Sequence, residues 1–316
     1  MNNGFFEVSP FVEHAIQSGK PVVALESTLI AHGLPFPQNL EVASKMQKAV
    51  ARSGAIPATV AVLDGVCKIG LLDHELERVA HDASSFMKVN ACDISFVVGK
   101  KMNGATTVSA TAWLAHLAKI NVFATGGIGG VHRNYLESFD VSHDLSTLSR
   151  IPMVVVASGA KSVLDLPKTI EMLETLGVLT LGYRTDFFPA FYSASSDIRL
   201  EHRVENAQEV ARIYHAKHYI GIDGSILVAN PVPQEDEIPN AVMDPMINQA
   251  IDEAKGQGIE GKAVTPFLLR RVKELSQGTS MKANISLLIE NAKVAGEIAY
   301  AISESIRNEQ FPKVGF

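Results

Sequence analysis

The sequence predicts an α/β fold, a three-layer α/β/α arrangement around a mostly parallel central sheet, in a single domain over residues 1–316. Short apolar runs alternate with amphipathic helical stretches, the order that yields parallel strands covered on both faces. No Pro- or Ser-rich linker, internal repeat or low-complexity tract divides the chain. Most of the distinctive polar residues follow strands, where open α/β sheets gather ligands.

Residues 10–18 read as a short helix, and Val22-Val23-Ala24-Leu25 as a buried strand ending at Glu26-Ser27-Thr28. A Gly/Pro loop, His32 to Pro37, precedes a helix from Asn39 to Ser53. Ala58–Leu63 is a second strand ending at Asp64-Gly65, and Val66 to Ile69 is a short third one. Asp73 is a plausible cap for helix Asp73–Ala83. Asn103-Gly104-Ala105-Thr106-Thr107-Val108 reads as a loop entering a helix over Thr106–Ala118, with Thr106 or Thr107 as cap. Strands Asn121–Ala124 and Pro152–Ala157 follow, then a loop at Ser158-Gly159-Ala160 and a helix from about Ser162. Val178–Tyr183 and Ser225–Ala229 complete the strands. The C-terminal third is helical over Asp244–Gln257, Pro266–Ser276 and Met281–Arg307, with Asp244 as cap and Pro245 at the first helical position.

Composition limits the function classes. The apolar fraction of 47% suits a soluble globular core. A net charge of −6 argues against a general nucleic-acid surface, so no nucleic-acid partner is expected. No apolar run reaches membrane-spanning length and no leader pattern opens the chain, so no membrane partner is expected. Cys67 and Cys92 lack metal or disulfide spacing, which points to a reducing cytoplasm, and both are expected to pack as small hydrophobes.

The richest segment is Val122-Phe123-Ala124-Thr125-Gly126-Gly127-Ile128-Gly129-Gly130-Val131-His132-Arg133. Glycines after a strand let backbone N–H groups approach an anion, and the His and Arg suit a phosphate. Gly127-x-Gly129 begins a dinucleotide fingerprint, but His132 stands where the third glycine belongs. The plain alternative is a structural turn. Lys161, just past a buried strand, is a candidate for desolvation and imine chemistry; a surface or phosphate-binding lysine is the alternative. Glu26 at a strand end could be a general acid/base or could bond turn N–H groups. Asp140 and Asp144, in Phe139-Asp140-Val141-Ser142-His143-Asp144-Leu145, could hold a hard cation, or Asp144 could simply begin a helix. Lys88 alone reads as an exposed strand residue, Asn284 as a cap or exposed helical position, and His32 and His116 as structural. Glu235-Asp236-Glu237 reads as solvated loop.

Eight ordered segments resemble the pseudouridine-5′-phosphate glycosidases, a family similar in fold to the indigoidine-synthase-A-like proteins. They are Pro21–Thr28 with His32-Gly33, Gly54–Thr59, Asn103–Val108, the glycine segment, Phe139–Leu145, Ser158–Ser162, Val228–Pro231 and Gly261–Leu269. The resemblance implies reversible cleavage of the C–C bond joining uracil to ribose 5-phosphate. It implies Lys161 as nucleophile, Glu26 as acid/base and Asp140 as metal ligand, with Mn²⁺, or Mg²⁺, as cofactor. Lys88, Val108, Ser142, His143 and Asp144 match substrate-contact positions, and Thr125, His132 and Asn284 fall in further site-lining segments. It also implies a phosphorylated nucleoside as partner, a homotrimer and a cytoplasmic location. After Phe188-Pro189-Ala190-Phe191, the loop Tyr192–Arg199 reads as shorter than the family pattern, a departure that bears on base recognition.

Overall fold

In the computed structural model, which describes residues 4–133, 135–259, 261 and 264–307, β-branched and aliphatic runs form the strands where burial demands them. In chain order these are β1 Phe6–Val8, β2 Val22–Leu25, β3 Ile56–Leu63, β4 Val66–Ile69, β5 Phe86–Val89 and β6 Asn103–Thr106. They continue with β7 Val122–Ala124, β8 Val154–Ala157, β9 Leu179–Tyr183, β10 Arg203–Val204 and β11 Ile226–Ala229. The sheet order is β1-β4-β3-β2-β7-β8-β11-β9-β10, with β6 pairing both β3 and β5. From β3 to β10 every neighbouring pair is parallel. Between the strands of the described residues, antiparallel pairing occurs for β3 with β4 and with β6, and isolated antiparallel bridges such as His132 with Leu164 tie the loops. β2, β7, β8 and β11 are buried along their whole length, as strands covered on both faces must be.

The helices are α1 Pro10–Gln17, α2 Gln38–Arg52, α3 Asp73–His81, α4 Ile94–Gly99, α5 Val108–Leu117 and α6 Tyr135–Ser138, then α7 His143–Leu148, α8 Leu166–Thr175, α9 Ala207–Ile220, α10 Asn240–Gly256, α11 Val264–Leu275 and α12 Thr279–Arg307. The long α12 packs against α2 and α9 and under β2, β7 and β8, while α5 packs with α7 over β2 and β3. Small residues let α12 approach closely: Ala283, Ala292 and Ala295 are fully buried. Among the described residues no helix is long and apolar enough to cross a membrane.

Several sequence expectations are corrected. Asn103–Thr106 is a strand, not a loop, because β3 and β5 supply its ladder partners. The helix then starts at Val108; Thr107 holds the cap position without a side-chain capping bond. The expected helix at Ser162 begins only at Leu166, capped by Asp165, because the intervening backbone pairs with the glycine segment. α10 is already helical from Asn240, so Asp244 is no cap and Pro245 lies inside the helix. α3 starts at Asp73 itself, and Glu75 folds back to accept the Leu72 N–H at 2.9 Å. α9 was not anticipated, although Asn206 caps its start and Gly221, at φ +77°, closes its end. Cys67 is buried, which pushes its thiol up to about 11, but Cys92 is exposed, with Sγ 3.4 Å from His143 Nε2. Of the acidic run, Asp236 pairs with Lys282 and Glu237 accepts the Ala194 N–H, so the stretch is tied down and not merely solvated. Lys262 and Ala263, within the last resembling segment, lie outside the described residues.

Candidate active site

The carboxyl ends of β2, β7 and β8 open into a cavity of about 340 Å³, at the lower end of the range for small-molecule sites. Strand order creates it: β7 lies between β2 and β8, so Glu26, Thr125 and the Lys161 loop become neighbours.

The glycine segment and the Lys161 loop run side by side. Lys161 N–H donates to the Ile128 carbonyl at 3.0 Å, and Ile128 N–H to that of Gly159 at 3.1 Å. Such close pairing needs glycine. A Cβ on Gly129 would sit 2.1 Å from Ser142 Oγ, and Gly159, at φ +72°, would press a Cβ to 2.2 Å from the Pro189 carbonyl. Arg133, expected as a phosphate ligand, instead donates to the carbonyls of Ser162 at 3.2 Å and Leu164 at 3.4 Å and to Asn248 Oδ1 at 2.8 Å. Its side chain braces the loop that carries Lys161.

Beneath the glycines lies a buried polar knot that the sequence did not disclose. Asn291 of α12 donates to the Thr125 carbonyl at 2.9 Å and to Ser158 Oγ at 3.1 Å, and accepts from Asn230 Nδ2 at 2.9 Å. One side chain thus ties the ends of β7, β8 and β11.

Glu26 is 8% exposed. Thr125 Oγ1 donates to its Oε1. Burial holds the Glu26 carboxyl above its ordinary value, against opposing pulls from Lys161, the Thr125 hydroxyl and Lys88. Thr125 itself is fully buried and meets the site only through Glu26.

Lys88, Ser142, His143, Asp144, His132, Asp140, Lys161 and Asn284 all line the cavity with Glu26. Val108 does not: its side chain is buried in the first turn of α5. Asp144 is already engaged, since Oδ1 accepts the Ser109 N–H at 2.9 Å and Oδ2 the Gly129 N–H at 2.8 Å. It supplies the capping bond for α5 that Thr107 lacks, and it fixes the glycine turn. Ser142 caps α7. His132 Nε2 lies 3.7 Å from Asp140 Oδ2. Burial lowers the His132 pKa, Asp140 opposes this, and Lys88 and Lys161 add to it, which favours a neutral imidazole.

Asp140 is the carboxylate that could meet a cation. Among the described residues no three His, Cys, Asp or Glu side chains gather to hold a metal ion. The arrangement therefore fits only a hard cation that keeps most of its waters and takes further oxygens from a ligand.

His32, read from sequence as structural, also lines the cavity, and its Nε2 is buried without a hydrogen-bond partner. Phe191 and Leu288 add apolar wall. The Tyr192–Arg199 loop is held by Ser193 Oγ donating to the Ile238 carbonyl and by Ser196 N–H donating to that of Phe188, at 3.1 Å. This brings Phe191 to the cavity.

Residues 11–301 match the family described as indigoidine synthase A like protein. The chain is 47% identical over 302 residues to the pseudouridine-5′-phosphate glycosidase of Caldanaerobacter subterraneus subsp. tengcongensis, covering 96% of this chain and 98% of the relative. It is 47% identical over 293 residues to the protein of that name from Escherichia coli K12, covering 93% and 94%. Among solved structures, a prealnumycin C-glycosynthase in complex with ribulose 5-phosphate is similar with a TM-score of 0.90 and 37% identity, covering 98% of this chain and all of that one. An indigoidine synthase A-like protein of Thermotoga maritima has a TM-score of 0.86 and 39% identity, covering 95% and 97%.

Proposed function

Because the chain belongs to the indigoidine synthase A like family, we propose that it is an enzyme that reversibly cleaves pseudouridine 5′-phosphate to uracil and ribose 5-phosphate. The observation that carries the reading is the meeting of Lys161 with the buried Glu26 in one cavity, in a chain 47% identical to glycosidases of that name.

A C-glycoside has no heteroatom leaving group at C1′, so direct departure of the base is poor. Glu26, its pKa raised by burial, gives a proton to the ring oxygen as the C1′–O4′ bond breaks. The Lys161 amine bonds to C1′. Its lone pair then forms the C1′=N imine as the C1′–C5 bond breaks, and uracil C5 takes a proton relayed by Glu26. Water hydrolyses the imine, which frees ribose 5-phosphate and the lysine. The Thr125 hydroxyl holds one Glu26 oxygen throughout, and Asp144 and Arg133 keep the two loops in register. Lys88 and neutral His132 line the polar end, where they orient the open-chain sugar phosphate. Mn²⁺ or Mg²⁺ beside Asp140 would supply positive charge to the substrate's phosphate oxygens.

The family resemblance also supports a cytoplasmic homotrimer. Phe96, Trp113 and Leu117, large apolar side chains exposed on α4 and α5, are available for self-assembly. Sedimentation that returns a monomer would remove the trimer.

The test is uracil release across a panel of C- and N-nucleotides, with borohydride trapping of ribose 5-phosphate read by mass spectrometry. The reading expects cleavage of pseudouridine 5′-phosphate and an adduct on the Lys161 peptide. Preference for an N-nucleotide overturns the substrate, and an adduct that persists in Lys161→Ala overturns the nucleophile.

A further inference from the structure

A second cavity, of about 600 Å³, lies between α11, the helical turn Leu29–Gly33 and the start of α12. It shares His32, Gly33, Pro266, Leu269 and Asn284 with the reaction cavity, so the two adjoin along a common wall. Its charged lining among the described residues is wholly cationic, from Arg270 and Lys273, in a chain whose net charge is −6. Neither has a carboxylate partner among the described residues. Three acidic side chains on the neighbouring elements are committed elsewhere: Glu253 and Glu274 pair with Arg271, and Asp236 pairs with Lys282. Arg270 lies over the Phe267 ring, 5.5 Å from its centroid, which holds the guanidinium at the mouth. His32, at the shared wall, has its pKa lowered by burial and by Lys88, so the charge at the mouth rests on the other two residues.

We propose that this cavity is an anion vestibule, a binding site through which a phosphate monoester reaches the Lys161 cavity and its phosphorylated product leaves. The proposal rests on the phosphorylated-pentose reading above. Two cations without a carboxylate partner among the described residues, set over low-dielectric walls, concentrate a dianion locally, and salt screens that attraction over about 10 Å at 0.1 M.

The test compares wild type with Arg270→Gln/Lys273→Gln between about 20 and about 300 mM NaCl. Wild-type kcat/KM for pseudouridine 5′-phosphate should fall about tenfold across that range. The double variant should start about fivefold lower, show a shallower salt slope and carry the loss in KM, not kcat. Lys45→Gln/Lys48→Gln on α2 makes the same charge change away from the cavity and should match wild type. Ribose 5-phosphate binding, measured by calorimetry at both salt levels, should repeat the pattern without turnover. A double variant with wild-type constants and salt slope overturns the vestibule, as does a wild type that fails to bind ribose 5-phosphate. Ribose 5-phosphate binding with the expected salt pattern but no cleavage of the nucleotide keeps the vestibule and overturns the function.

Discussion

Asn291 Nδ2 donates to the Thr125 carbonyl at 2.9 Å and so fixes the residue whose hydroxyl holds Glu26. The reactive carboxyl at the end of β2 is thereby positioned from α12 by way of β7, the strand beside its own. Asn291 is fully buried, so every polar group it serves would lose its partner in a site without access to water.

Asn291→Leu should therefore destabilise the fold by about 3 kcal/mol, since each stranded buried polar group costs about 1–3 kcal/mol. Urea unfolding reads the loss. Turnover at a temperature where the variant remains folded should fall as well, because Thr125 no longer has a fixed carbonyl. An unchanged urea midpoint would remove Asn291 as the tie.

Gly129→Ala places a Cβ 2.1 Å from Ser142 Oγ and 2.7 Å from Asp144 Oδ2. Overpacking of this kind costs about 1–3 kcal/mol, and relief requires the glycine turn to leave Asp144. Turnover should drop with stability. Gly256→Ala meets nothing within 4 Å at the end of α10 and should be neutral or slightly stabilising. Equal effects from the two substitutions would count against the close fit.

Burial raises the Glu26 pKa above the ordinary 4.5. Between that value and the raised folded value the native state binds more protons than the unfolded chain, so this group's contribution to stability falls as pH rises through the window. Glu26→Gln removes the dependence. Urea unfolding over a pH series should give a wild-type curve that loses stability relative to the variant above pH 4.5. Parallel curves would sink the assignment of Glu26 as the buried acid.

Lys161→Arg keeps a cation but lacks an imine-forming amine. Turnover should fall to background and the borohydride adduct should vanish, while ribose 5-phosphate affinity stays within about threefold, a change of well under 1 kcal/mol. Retained turnover would make Lys161 a phosphate ligand only.

Asp140→Asn should raise the Mn²⁺ concentration that supports half-maximal turnover, and chelation should reduce wild-type activity with recovery on Mn²⁺ or Mg²⁺ addition. Activity that is indifferent to chelation would leave Asp140 as the partner of His132.

Local signals made much of the fold and site legible. Apolar runs ending at Leu25, Ala124 and Ala157 disclosed three strands, and the polar residues after them disclosed which strand ends carry the site. The reading failed where a tertiary partner overrode a local cue. Asn103–Thr106 has loop-like residues but gains ladders on both edges. Asp244-Pro245 has the look of a helix start but lies within α10. Asp144 does stand in the first turn of α7, as its helix-start reading has it, but only packing makes it also the brace between Gly129 and α5.

The sequence by itself determined that strands and helices alternate, that glycines must follow β7, and that a lysine and a glutamate stand at strand ends. These are properties of periodicity and of single-residue conformational freedom, which need no distant partner. The tertiary structure alone decided that Thr125 serves Glu26, that Arg133 braces the Lys161 loop instead of meeting phosphate, and that Asn291 knots three strands. The partners in these bonds come from different elements, brought together by the order β2-β7-β8-β11 and the placement of α10 and α12. Strand order and helix docking emerge from the whole packed core, so no local window of the chain encodes them.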